Sequence, residues 1–198
     1  MRSSMTLWGL VIVISSSACA YGQDSKLMSP QPEHALLKRF AGEWQFVKRS
    51  VPADGRSDIV GRGEISAKMI GHFFVVCKWN GKVYGTDFEA VQSFGYSVKK
   101  KKYTGTWIDS LMSYQWQLDG TVTEAKPKFV VVSNGPGAKD KTTEFRETYH
   151  FRSADNIHII AEMKQDDKWQ QFMTTDLSRK KVASKAAARE KVTPDSKP

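Results

Sequence analysis

"DFEAVQSFGYSVKKKKYTGTWIDS", residues 87–110, sets four consecutive lysines between two segments that read as strands, roughly 83–96 and 102–110. In the second segment Tyr103, Gly105, Trp107 and Asp109 share one face, and Thr104, Thr106, Ile108 and Ser110 share the other, the period of two that a strand imposes. Lys99 to Lys102 then fall where a hairpin turns. Lysines there stay hydrated and discourage edge-to-edge pairing with another chain. No aromatic residue interleaves them to stack bases, so the run is a solvated turn and no specific nucleic-acid partner is expected.

The same period extends in both directions. Ile65, Ala67 and Met69 alternate with Glu64, Ser66 and Lys68, and "HFFVVCKWNGKVYG" reads as two strands joined at Asn80-Gly81, a strong hairpin signal. Further strands are expected at 113–119, 121–133, 143–152, 156–164 and 168–176. Gly120, "SNGPGAKD" and Ser153-Ala154-Asp155-Asn156 supply turns between them, and "PADGR" supplies one after the strand begun by Trp44 and Phe46. Before them, Pro30 and Pro32 introduce "EHALLKRFAGEW", whose Ala35, Leu36, Phe40 and Ala41 recur at helical spacing until Gly42. About ten short strands in sequential hairpins must curl to satisfy their edges. The expected fold is therefore all-β, an antiparallel up-and-down β-barrel preceded by a short helix.

Residues 1–22 have the parts of a secretory signal peptide: Arg2, an apolar run over residues 7–14, then small residues. The apolar run is shorter than the roughly 20 residues that span a bilayer. Cleavage after Ala20 or after Gly22 fits, with Gly22 preferred, and export to the periplasm or medium is expected. A lipoprotein anchored at Cys19 is the rival reading, disfavoured because Ser16 stands where such signals usually carry leucine. With the signal removed Cys77 is the only cysteine, so the core must stabilise the fold without a disulfide, and Cys77 reads as a small buried residue.

The net charge of +9 is unevenly distributed. Residues 178–198 hold seven Lys or Arg against Glu190 and Asp195, a tail of +5. Without that tail and Arg2, residues 24–177 carry only +3. The expected division is a signal (1–22), one barrel domain (23–177) and a disordered basic tail (178–198), with weak contact to an anionic envelope surface through that tail. A monomer is expected.

Gly42-Glu43-Trp44, a Gly-x-Trp that follows a short helix and opens the first strand, resembles the calycins, the lipocalin-like barrels. The resemblance implies that Trp44 sits at the closed end of the barrel, packed by a basic residue from the last strand, here Arg179. Along "GHFF", "DFEAVQSFGYSVKKKKYTGTWIDS" and "HIIAEM", residues 33–177 are similar to an exported bacterial family, domain of unknown function 1579. The matching residues are Gly71, Phe73, Phe88, Glu89, Gly95, Tyr96, Tyr103, Trp107, Asp109, Ser110 and Glu162. His72 stands where that family would carry arginine, and Cys77 lies in a strand usually more polar. The resemblance implies an exported barrel and no particular activity.

Several side chains are candidates for chemistry. If the lysine turn is centred near residue 99, Glu89 lies across from Asp109, and two facing carboxylates either raise one pKa or hold a cation; a one-residue bulge would send them to opposite faces. Arg146, Thr148 and His150 alternate with Phe145, Glu147, Tyr149 and Phe151, while His158, Ile160 and Glu162 alternate with an aliphatic row. Arg146 and Glu162 then either face water or stand inside as a polar anchor for a ligand. The four histidines lack metal-ligand spacing, and no nucleophile elbow, phosphate loop or dinucleotide fingerprint occurs, so no metal or other cofactor is expected.

These features fit best an exported carrier or sensor of a small, mostly apolar or amphiphilic ligand. Its candidate walls are Tyr84, Tyr103 and Trp107, and its candidate anchors are Glu89, Asp109, Arg146 and Glu162. Gly105 and Asp109 leave room beside Trp107, as at a cavity wall. Two alternatives are an enzyme using a Glu89/Asp109 acid/base pair and a packed barrel that acts as an envelope interaction module.

Overall fold

A four-residue helix, α1 (His34–Leu37), leads through Phe40 into ten strands: β1 (Gly42–Ser50), β2 (Ile59–Ile70), β3 (Phe74–Val83), β4 (Thr86–Ser97), β5 (Lys102–Asp109), β6 (Met112–Thr123), β7 (Lys128–Pro136), β8 (Thr142–Phe151), β9 (Asn156–Gln165) and β10 (Lys168–Arg179). This computed structural model describes residues 26–51, 57–123, 128–137 and 141–181. The signal-like segment with Cys19, the "PADGR" turn at residues 52–56 and residues 182–198 of the basic tail lie outside the described residues.

Each strand pairs antiparallel with the next, and β1 closes on β10. The expected up-and-down barrel is therefore the observed one, and closure leaves no unpaired edge. Alternation builds it: Trp44 and Phe46 in β1, Ile65 and Ala67 in β2, and Val75, Cys77 and Trp79 in β3 are buried inside, while Gln45, Ser66 and Lys78 between them face out. Burial pushes the Cys77 thiol up to about 12, which leaves it an inert packing group.

Three glycine readings need correction. Asn80-Gly81 is not a turn; β3 runs through it, and the chain reverses at Tyr84-Gly85, both with positive φ (50° and 77°). Gly81 instead pairs with Gly63 across the sheet, where a Cβ on Gly63 would strike Asn80 O, the Phe46 ring and the Gly81 backbone. The glycine answers to a close approach of strands, not to a turn. Gly120 likewise lies within β6, which is continuous where two strands met at a turn were expected, and the Phe129 ring occupies the space its side chain would need. At Gly105 the room read from the sequence is filled, because a Cβ there would meet Ser93 O and the Phe94 ring. β7 also continues through Ser133 to Pro136, into the stretch read as a loop, and β10 reaches Arg179, two residues past the expected domain boundary.

The end carrying α1 is closed. Trp44 is 1% exposed, and its indole N–H donates to Phe40 O at 2.8 Å. The Arg179 guanidinium lies 4.0 Å from the Trp44 ring centroid and donates to Ala41 O at 2.8 Å and Ala154 O at 3.0 Å. Gly42 is held at φ +128°, and the guanidinium fills the place a Cβ would take. Phe40, Phe94, Phe129 and Tyr149 pack on one another above this cap, Phe40 edge-on to Phe129 and Tyr149 and tilted against Phe94. The lysine turn, residues 98–101, belongs to this closed end, so β5 runs from it toward the opposite, open end.

Candidate functional site

Above the aromatic layer the barrel is hollow. A cavity of about 380 Å³ opens at the mouth, within the ~300–1,000 Å³ range of small-molecule sites. Five strands bring aromatic rings to its walls, Phe88, Trp107, Trp116, Phe145 and Phe172, between aliphatic and polar side chains. Its rim carries exposed apolar side chains, Tyr84 at 63%, Leu111 at 42% and Met112 at 46%. A wider depression outside β2 and β3 is a shallow groove beside the exposed Lys82–Asp87 pair.

Among the described residues, the three breaks in strand register all fall in this half of the barrel. They lie between Lys48 and Arg49, between Trp107 and Asp109, and between Gln171 and Met173. A bulge inserts an unpaired residue and re-aims its neighbours, a device common at barrel rims and functional sites. In β10 it brings the consecutive residues Phe172 and Met173 both to the cavity, which strict alternation forbids.

The polar groups of the cavity come from residues that break an apolar row. Lys48 follows Trp44 and Phe46 on the inward face of β1, and its Nζ lies 5.3 Å from the Trp79 ring centroid, 5.8 Å from Phe88 and 5.7 Å from Trp107. Lys48 makes no hydrogen bond or ion pair among the described residues. Burial pulls its pKa below the ordinary lysine value, opposed by the charges of the Glu147 and Asp109 carboxylates. By area the side chain is half-buried, because it borders the cavity while its surroundings are protein on every other side.

The two carboxylates are held in place by other partners. Glu147 Oε2 accepts from the Tyr149 hydroxyl at 2.6 Å, and that hydroxyl accepts from Gln92 Nε2 at 3.0 Å. Burial first, and the neighbouring Glu147 second, push the Tyr149 phenol well above its usual range, so it remains a donor. Asp109 Oδ2 accepts from the Trp107 indole N–H at 2.7 Å and Oδ1 from the Leu111 amide at 2.8 Å. Trp107 itself is packed edge-to-face on Trp79 and stacked on Phe88.

The candidate residues therefore separate. Trp107, Asp109 and Tyr84 border the cavity. Tyr103 is buried at the closed end, where its hydroxyl donates to Glu33 O at 2.8 Å and its ring packs on Tyr96 and Phe129. Glu89 does not face Asp109: the register pairs Ala90 with Asp109, one residue off the expected match, and sends Glu89 to the outer surface. The acid/base pair is thereby lost. Arg146 and Glu162 also touch the cavity wall, yet their charged groups pair with each other at 2.8 and 2.9 Å on the other face of β8 and β9, and the guanidinium stacks over Trp169. Lys48 and Glu147 were not among the candidates. Both were legible as charges in phase with buried aromatic neighbours. Among the described residues no group of three or more His, Cys, Asp or Glu side chains is placed to hold a metal ion, and no helix is long and apolar enough to cross a membrane.

A closed ten-stranded barrel with a Gly-x-Trp/arginine cap at one end and a cavity at the other defines a calycin-like protein. The chain belongs to the family described as "Protein of unknown function (DUF1579)", whose model matches residues 29–179. No curated protein matches it. Among solved structures it is similar to the S-type phycobiliprotein lyase CPES from Guillardia theta, at 12% identity and a TM-score of 0.51 over 81% of this chain and 99% of that one. It is also similar to Rv2717c from M. tuberculosis, at 12% identity and a TM-score of 0.55 over 77% of this chain and 100% of that one. At such identities the likeness is one of fold.

Proposed function

We propose that this protein is an exported binder of a small, mostly apolar molecule, which it holds in the cavity at the barrel mouth. The observation that carries the reading is the cavity itself: walled by aromatic rings from five strands, open to solvent through an apolar rim, and furnished with one unpaired ammonium, Lys48, in the field of two fixed carboxylates. A packed interior would have no use for that lysine, since an unpaired cation inside a barrel lowers stability unless a ligand uses it. Export rests on the signal-like residues 1–22.

The test is a fluorescence titration with N-phenyl-1-naphthylamine, a neutral probe that brightens in apolar surroundings. One saturable site is expected, and Ala161→Phe, which places a ring in the cavity, should abolish it while the protein stays folded. Binding that is unaffected by Ala161→Phe, or no saturable binding at all, would contradict the reading. Native mass spectrometry of protein purified from its own host is expected to reveal a retained small molecule.

A further inference from the structure

We infer that Lys48 captures a conjugated aldehyde as an imine, so that the ligand of the mouth cavity is a small aromatic or polyene carbonyl compound. This rests on the proposed binding function and names its chemistry. Lys48 Nζ lies among the rings of Trp79, Phe88 and Trp107 at 5.3 to 5.8 Å, carries three donor positions with no acceptor among the described residues, and borders open space. An anionic ligand would enter a cavity that already holds Glu147 and Asp109 against one ammonium, the Arg146–Glu162 pair being neutral as a unit. Repulsion disfavours it. A neutral hydrocarbon would leave the amine unpaired. A carbonyl carbon meets both conditions, and planar conjugated systems match aromatic walls.

The step balances without an oxidant or reductant. The unprotonated Nζ donates its lone pair to the carbonyl carbon, forming a C–N bond as the carbonyl π pair moves to oxygen, and proton transfer from nitrogen to oxygen gives a carbinolamine. A second proton reaches the hydroxyl, water leaves, and the nitrogen lone pair forms the C=N bond, so that amine plus aldehyde becomes imine plus water. The product is cationic when protonated, and the three rings beside Nζ and the negative charges of Glu147 and Asp109 then stabilise it. Burial of Lys48 favours the free amine needed for the first step, with Glu147 and Asp109 opposing; the other ionisable groups on the cavity wall are the paired Arg146 and Glu162 and, at the rim, Tyr84, while Tyr149, held protonated, stands behind Glu147.

The experiment incubates the full chain with cinnamaldehyde and sodium cyanoborohydride at neutral pH and maps the cinnamyl adduct by peptide mass spectrometry. Lys48 is expected to be labelled at least about tenfold faster than a turn lysine such as Lys100, because the cavity holds the aldehyde beside Nζ and burial favours the free amine. Lys48→Arg should lose that fast adduct. Binding of N-phenyl-1-naphthylamine is measured on the same samples. An unmodified Lys48, or a Lys48→Arg protein labelled as fast as the wild type, while the probe still binds, overturns the imine and leaves the binding site standing. Loss of both labelling and probe binding overturns both.

Discussion

The Lys48 ammonium lies 5.7 Å from the ring centroid of Trp107, and the Trp107 indole donates to Asp109 at 2.7 Å. The cation and the carboxylate thus meet through an aromatic ring and not through an ion pair. Trp107 is fixed by its partners, and Lys48 is left available on the cavity side.

Lys48→Met should leave the protein as stable as the wild type or about 1 kcal/mol more stable at neutral pH, because an apolar stem of similar length replaces a desolvated cation. The same pair of proteins gives a pH prediction. The Lys48 pKa is lower in the folded chain than in the unfolded one, so the unfolded chain binds more protons between the two values and wild-type stability rises with pH across that window. The penalty is fully present below the folded value and is relieved by the unfolded value near 10.5. Urea melts of wild type and Lys48→Met at stepped pH should therefore converge or shift in favour of the wild type as pH rises. The raised phenols of Tyr103 and Tyr149 act in the opposite direction above about pH 10, equally in both proteins. A difference independent of pH would contradict the assignment.

Trp107→Ala should cost about 2 kcal/mol, less than the ~3–5 kcal/mol of a fully enclosed aromatic, because one side of the ring faces the cavity. Probe binding should weaken strongly in the same variant. Denaturation by urea measures the first and fluorescence titration the second.

Arg179→Leu separates fold from site. It removes the guanidinium over Trp44 together with its hydrogen bonds to the Ala41 and Ala154 carbonyls, at a cost of about 2–3 kcal/mol. The closed end lies opposite the mouth, so affinity for the probe should be unchanged below the melting temperature. A loss of affinity in the folded variant would show that the two ends are coupled.

Tyr149→Phe should destabilise the barrel by about 1–3 kcal/mol, because Gln92 loses an acceptor and Glu147 a donor in a buried setting. Adding Gln92→Leu should return part of that loss, since an apolar side chain has no bond to miss. A thermal melt of the single and double variants checks the order.

The barrel was legible because burial on one face writes a period of two into nearly every strand, and because the lysine turn marks a reversal unambiguously. What misled was glycine. At Gly81 and Gly120 it reports crowding between strands or under a ring, a long-range property with no local signature, and at Asn80-Gly81 it imitates a turn. The register between Glu89 and Asp109 depended on the length of one turn, where a single residue inverts every side chain. Lys48 escaped notice because a lysine near a strand end reads as solvated; only its phase with Trp44 and Phe46 places it inside.

Whether the barrel mouth binds a ligand can be read from the indole N–H resonances of the 15N-labelled protein as N-phenyl-1-naphthylamine is added. The cross-peaks of Trp107 and Trp116 are expected to shift to saturation while that of Trp44, hydrogen-bonded to Phe40 O under the closed end, stays in place. Saturating probe that leaves Trp107 and Trp116 unmoved, or that shifts Trp44 alone, would contradict binding at the mouth.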